Sequence, residues 1–242
     1  LGYAESNPTS DLSGEDVAAK LKILSSLCFN SFLNKNIHVE GIRDIDKDDI
    51  NYAKKLGYKI KLLGYAELIG KDIFQRVHPT LIRNSSYSGS IDGVLNAVII
   101  DGKPVGQSII QGEGAGAAAT TSALISDISS ILRGNIKFPF SISNKERKNL
   151  NFKQISERYF SAYFRFNVID KPGVLSKITQ VFSRNKVSIK RLVQDPNKNN
   201  NSSSIIIITH HSKDKSLNKI IQTINKRPYI KRRSKLIRIA DE

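Results

Sequence analysis

The stretch from Asn135 to Glu157, NIKFPFSISNKERKNLNFKQISE, is polar, contains one proline and carries no sustained hydrophobic period. The charge of the chain changes at the same place. Residues 1 to 150 hold 18 Lys and Arg against 16 Asp and Glu, a net of +2, whereas residues 151 to 242 hold 20 against 6, a net of +14. A coincident break in period and charge is expected of a linker, and it predicts two domains, 1–134 and 158–242, joined by residues 135–157. With 242 residues, 39% of them hydrophobic, the chain has apolar material for two packed cores, and disorder is excluded as the general state.

Other classes fall away on simple grounds. The densest apolar run, Ile205 to Ile208, is the length of a strand, far from the ~18 residues that span a bilayer. No basic and then apolar leader marks secretion. Cys28 is the sole cysteine, and histidines at 38, 78, 210 and 211 have no zinc spacing, so no metal site is expected. A reducing cytoplasm is the compartment these features fit. Methionine is absent, position 1 included, as expected of a chain that begins inside a longer reading frame or after processing.

In the first part, Val17, Leu21, Leu24 and Cys28 fall at i, i+4, i+7 and i+11, which predicts a helix with Cys28 on its core face. Ser13 with Asp16 has the spacing of a capping box that would start this helix near Gly14. A second helix is expected over about Asp46 to Leu56, then a strand in the alternating Tyr58 to Leu63. Ile73 to Val77 is a further extended run, closed by His78-Pro79, where the histidine reads as a packing or loop-fixing residue. Gly93 to Ile100 and Val105 to Gln111 flank Asp101-Gly102-Lys103-Pro104, a hairpin turn. A glycine turn, Gly112 to Gly116, then opens an alanine-rich helix that ends near Gly134. The second part reads strand, helix, strand, strand, helix, strand. Its segments are Tyr159 to Val168, the helical spacing Val174, Ile178, Val181 and Phe182, Val187 to Val193, Ile205 to Thr209, Leu217 to Ile224, and Leu236 to Ile239. This βαββαβ order is that of a ferredoxin-like unit, and the fold class expected for the whole is α+β.

Chemistry concentrates at the start. Asp16 and Lys20 are one helical turn apart on one face, beside a loop bearing Glu5 and Asp11. Carboxylates there suit an ammonium group and the lysine suits a carbonyl or hydroxyl oxygen, a set fitted to a zwitterionic substrate and to proton transfer. The same spacing also describes a solvated surface ion pair. Gly112-Glu113-Gly114-Ala115-Gly116-Ala117 satisfies a dinucleotide-binding pattern between a strand and a helix, yet no second strand ending in an acid follows about 20 residues on. Alone, it reads rather as a structural turn whose glycines allow close helix packing. The basic end, Lys226-Arg227-Pro228 through Lys235, reads as a solvated basic surface rather than a nucleic-acid contact, since no RNA-binding signature accompanies it.

The run Gly2-Tyr3-Ala4-Glu5 through Asp16-Val17-Ala18-Ala19-Lys20, with Arg76-Val77-His78-Pro79-Thr80, Gly93-Val94-Leu95-Asn96-Ala97-Val98 and Gly112 to Gly116 in the same order, resembles homoserine dehydrogenase from its substrate segment onward. The resemblance implies a mixed-sheet catalytic and dimerisation domain. Its activity is interconversion of L-homoserine and L-aspartate 4-semialdehyde, a step toward threonine, methionine and isoleucine, with NAD(P)H bound mainly by an N-terminal Rossmann domain that this chain lacks. It implies Lys20 as proton donor and acceptor, Glu5, Asp11 and Asp16 as substrate ligands, and Gly114 and Gly116 near the nicotinamide. Asn7 departs from the family, which usually has an acid before this proline. Tyr163 to Val168, Asp170-Lys171-Pro172-Gly173-Val174-Leu175 and Ile205 to His210 resemble an ACT domain. That likeness implies an amino-acid effector, L-threonine, at Asn167, Asp170, Gly173 and Val174, unless the turn is only a chain reversal. A homodimer or homotetramer is the assembly implied. The other reading is a standalone amino-acid-binding regulator without catalysis.

Overall fold

The computed structural model describes residues 8–32, 37–135, 142–197 and 201–240. In chain order, α1 (Thr9–Ser13) and α2 (Glu15–Phe29) lead to a short β1 (His38–Val39), α3 (Lys47–Lys55) and two twelve-residue strands, β2 (Tyr58–Ile69) and β3 (Asp72–Arg83). A single turn, α4 (Tyr87–Ser90), precedes the hairpin β4 (Leu95–Gly102) and β5 (Gly106–Glu113), then α5 (Ala117–Leu132) and β6 (Asn151–Phe152). The second part is β7 (Tyr159–Ile169), α6 (Val174–Arg184), β8 (Ile189–Asn197), β9 (Ser202–Thr209), β10 (Ser212–Lys213), α7 (Asp214–Asn225) and β11 (Ile230–Ile239). The mixed α+β class and the βαββαβ order are both as the sequence predicts.

The two parts share one sheet. Its order is β1-β3-β11-β7-β9-β8, with β2 hydrogen-bonded along the whole of β3. Within it, β11-β7-β9-β8 is the fourth-first-third-second order of a ferredoxin-like unit. The last strand, β11, runs antiparallel to β7 and then parallel to β3, pairing Arg238 with Thr80 and Ile239 with Leu81. The expected linker is docked as well. Lys148 donates its amide to Asn30 at 2.8 Å, and β6 lies parallel to β3 with Ile73 opposite Phe152. Backbone pairing, with Lys153 reaching Asp72 and Arg147 lying over the Phe32 ring, makes this docking, so no apolar period announces it.

Period-two alternation on β7 explains why both faces of the ferredoxin-like sheet are covered. Phe160, Ala162, Phe164, Phe166 and Val168 point to α6 and α7, into a core with Ile178, Phe182, Leu217 and Ile220. Tyr163, with Ile206, Ile208 and Ile237, points the other way, onto Ala53 of α3 and Leu81 of β3. The unbroken Ile205–Ile208 run serves both faces in turn.

Three expectations are corrected. Cys28 is exposed, and the buried line of α2 is Ala18, Leu21, Ser25 and Ser26. Ser25 tolerates burial because its hydroxyl donates to the Leu21 carbonyl at 2.7 Å and accepts from Gln75 Nε2. The run ending at Val77 instead continues through His78-Pro79 to Arg83. On that edge the Val77 carbonyl accepts from Glu40 and the Leu81 carbonyl from Ala240. Pro79 shares their parity, so its missing N–H falls in the gap between β1 and β11. β11 begins at Ile230, before the apolar Leu236, because its first half is basic and pairs with β7 across register shifts.

Buried arginines of the second part meet carboxylates of the first across this shared sheet. Arg165, 4% exposed, reaches Asp49 at 2.6 Å and Asp46 at 2.5 Å, the two residues of the capping box that starts α3. Burial pushes the Asp49 carboxyl up, against the pull of that guanidinium. Arg238, 1% exposed, binds Asp214 at 2.7 Å and Glu40 at 2.9 Å. Beside it His78 is buried, its Nε2 accepting from Arg76 Nη1 at 2.8 Å, which puts the proton on Nδ1, donating to the Pro79 carbonyl at 2.9 Å. Burial, with Arg76 and Arg238 nearby, lowers the His78 pKa from 6.5 to about 3.

Two predictions follow from this seam. Arg165→Met strands the Asp49 carboxylate in the interior and should cost about 3–5 kcal/mol in a denaturant titration near neutral pH, less in acid as Asp49 takes up a proton. Parental stability at neutral pH would contradict the seam. For His78, the unfolded chain binds a proton that the folded one refuses between pH 6.5 and 3. Stability should therefore fall as the pH drops through that window, by at most ~1.4 kcal/mol per pH unit, and His78→Gln should flatten that slope.

Candidate active site

Gly14 organises the candidate site. Its φ of +85° lets it close α1, donating to the Asp11 carbonyl, and at once serve as N-cap of α2. The expected Ser13–Asp16 capping box is not made. Ser13 is the last residue of α1, and its hydroxyl donates to Ser10 O at 3.1 Å while accepting from the Glu15 amide at 3.4 Å. Asp16 is left for Lys20, Oδ2 to Nζ at 2.7 Å, with the two side chains 40% and 62% exposed.

Asp11 lies in the first turn of α1 and is exposed, so Asp11, Asp16 and Lys20 are carried on the two short helices that Gly14 joins. Glu5, the third expected carboxylate, and Asn7 lie outside the described residues. The helix pair is seated on the sheet by small contacts. Ala18 and Leu21 pack with Val77. Gly64 on β2 leaves room for Val17, whose methyl stands 3.1 Å from where a Cβ would be.

The glycine turn sits on a separate arm. β4 and β5 form their own two-stranded sheet, and α5 buries none of its residues. Gly116 has φ +116° and is the N-cap of α5, with no side chain capping that end. A Cβ on Gly114 would lie 1.8 Å from the Asn96 amide, so the absence of a side chain at this position has a cause within the hairpin. The arm is also apolar on its outside, with Ile110 64% and Leu132 81% exposed.

In the second part, the turn between β7 and α6 opens a cavity of about 310 Å³. Asp170, Gly173 and Val174 line it together; Asn167 is on β7, opposite Ser204, and is not in the lining. Gly173 has φ +84° and no side chain caps α6, so the first amides of that helix face the turn with no acceptor from the helix itself. Gln194 and Ile205, opposite each other on β8 and β9, close the far side. Sequence reasoning missed Gln194, whose place depends on strand order. It also missed the arginine–carboxylate seam, for which the acids at 40, 44, 46, 48 and 49, facing a strongly basic second half, were the available signal.

Among the described residues no three His, Cys, Asp or Glu side chains converge on a metal-sized site, and no helix is long and apolar enough to cross a membrane.

Residues 1–129 match the family model for homoserine dehydrogenase, and residues 164–232 match that for the AHAS small subunit-like ACT domain. The homoserine dehydrogenase of Neisseria gonorrhoeae is 36% identical over 236 residues, 93% of this chain and 53% of that protein. That of Helicobacter pylori is 35% identical over 240 residues, 99% of this chain and 56% of that protein. A solved homoserine dehydrogenase from Thiobacillus denitrificans superposes with a TM-score of 0.88 at 32% identity, over 100% of this chain and 56% of that one. The chain thus spans about half the length of the relatives it matches. With more than half of its residues under the first family model, and relatives more than 30% identical along nearly its whole length, the chain belongs to the homoserine dehydrogenase family and carries an ACT domain.

Proposed function

We propose that this chain is the substrate-binding and regulatory portion of a homoserine dehydrogenase, acting in the NAD(P)-dependent interconversion of L-homoserine and L-aspartate 4-semialdehyde. The observation that carries this is the Asp16–Lys20 pair at 2.7 Å, one turn into the helix that Gly14 joins to the turn bearing Asp11. A zwitterionic amino acid needs an anionic site for its ammonium and a cationic donor at its reacting oxygen, and these three side chains supply both. Asp16 and Asp11, with Glu5, hold the ammonium, so that orientation is set before reaction. Lys20 Nζ stabilises the oxygen as negative charge develops and gives it a proton; in the reverse direction it takes the proton from the hydroxyl.

The nicotinamide, when bound, supplies the hydride to the aldehyde carbon or accepts it back. This chain's residues fit only the edge of such a group. The glycine turn with the uncapped start of α5 is an exposed backbone rim, and Gly114 and Gly116 on it border the nicotinamide. The rest of the cofactor is held by a portion of the enzyme outside this chain, so the chain alone is inactive. The exposed apolar face of the hairpin and α5 suits that portion and a second subunit, in a homodimer or homotetramer. The cavity at Asp170, Gly173 and Val174 has room for a small amino acid whose carboxylate meets the start of α6, which supports L-threonine as a feedback effector.

Three measurements test this reading. In an assembly that supplies the nucleotide-binding portion, Lys20→Ala should lower kcat for homoserine oxidation by about 10²–10⁴ while leaving cofactor affinity in place. Unchanged turnover would contradict it and favour the standalone regulator. Titration of NADPH or NADH into this chain alone should show no binding at micromolar concentration; micromolar or tighter affinity would overturn the division of the cofactor site. By calorimetry, L-threonine should bind this chain, and Asp170→Ala should abolish the heat while Lys20→Ala leaves it unchanged. Threonine heat that survives Asp170→Ala would move the effector site elsewhere.

A further inference from the structure

The loop at residues 40–42 is held at one end by the ACT unit and presses at the other on the turn that carries the substrate groups. Arg238 on β11 donates through Nη1 to both Glu40 oxygens, at 2.9 and 3.0 Å, and through Nε to Asp214, the first residue of α7. His38 Nε2 lies 2.6 Å from the same Glu40 carboxylate. Further along, Lys235 of β11 donates to the Asp44 carbonyl.

On the other side of the loop the contacts are backbone. The Glu40 amide donates to Val77 O at 2.8 Å, and the Ile42 amide donates to Leu12 O at 2.9 Å. Gly41 lies so close to α1 that a Cβ there would be 2.2 Å from the Leu12 carbonyl. The Glu40 carbonyl itself stands 3.5 Å from where a Cβ of Gly14 would be. The Glu40 carboxylate thus ties to Arg238 a loop that sits directly against Leu12, Ser13 and Gly14, between Asp11 and Asp16.

We infer that Glu40 and Arg238 are positioning residues for the substrate segment: their ion pair holds the 40–42 loop against the Gly14 turn and so sets Asp11 relative to Asp16 and Lys20. This rests on the reading that those three residues bind homoserine, and it adds a role for two residues that do not touch the substrate. Arg238 already has Asp214 as a buried partner at 2.7 Å. Bringing a second carboxylate to it from the other half of the chain is therefore not needed to neutralise the guanidinium, and its consequence is the placement of the loop.

The test is amide hydrogen exchange on this chain without substrate. Glu40→Gln keeps the shape and removes the charge, and it should speed exchange of the Ile42 amide and of amides 12–20 by about tenfold or more, with β7 and β9 unchanged. Glu40→Asp, which retains the carboxylate, should restore most of the protection. No acceleration at residues 12–20 in Glu40→Gln, or equal acceleration throughout β7 and β9, would overturn the inference. Because no substrate is present, a failure here leaves the homoserine reading intact. A failure of that reading would appear instead in the Lys20→Ala kinetics, with the exchange pattern unaffected.

Discussion

Two guanidinium groups, Arg165 and Arg238, are withdrawn from water where the ferredoxin-like unit meets the substrate unit, and the rest of the structure is arranged around satisfying them. An unpaired arginine at such depth would not be tolerated, because desolvation of a fixed charge costs several kcal/mol. Asp214 of α7 meets Arg238 from within its own unit, while Glu40, Asp46 and Asp49 come from the stretch that runs from β1 into α3, so this acidic stretch is drawn onto the basic unit. The continuous sheet follows from the same join: once β11 is anchored at Arg238, its last residues pair with β3, and the two units share hydrogen bonds as well as charge.

The uneven charge of the chain acquires a structural use in this light. Part of the +14 of the second half faces the acids at 40, 44, 46 and 49 of the first, through Arg165, Arg233, Lys235 and Arg238. Arg158 and Lys153 add further pairs across the join, to Glu67 and Asp72. The substrate segment has the opposite character. Its Asp16–Lys20 pair is exposed, and the buried line beneath it is Ala18, Leu21, Ser25 and Ser26.

The parts of this arrangement that were legible in the sequence are those with a local cause. The β7 and α6 elements follow from periodicity, the hairpin from its Asp-Gly-Lys-Pro turn, and the pairing of Asp16 with Lys20 from i,i+4 spacing. The parts that were not legible depend on partners distant in sequence. His78-Pro79 reads as a strand end, yet the strand continues because β1 and β11 leave a gap opposite the proline. Cys28 reads as core, yet the serines of α2 take the buried line because Gln75 and a helix carbonyl satisfy Ser25. The docking of residues 148–153 rests largely on main-chain hydrogen bonds, with Lys153 reaching Asp72, and the lining of the cavity by Gln194 needs the strand order. Motif resemblance singles out Asp11, Asp16 and Lys20, which local spacing alone does not distinguish from a solvated ion pair.

The central claim is that residues 11–20 form a binding site for homoserine, held by a sheet continuous with the ACT unit. The most direct measurement is a titration of L-homoserine into the ¹⁵N-labelled chain, followed by amide chemical shifts. The account predicts saturable shifts centred on Asp11 to Lys20, reduced in Asp16→Asn. Shifts absent from that segment, or confined to the turn at Asp170 to Val174, would contradict it.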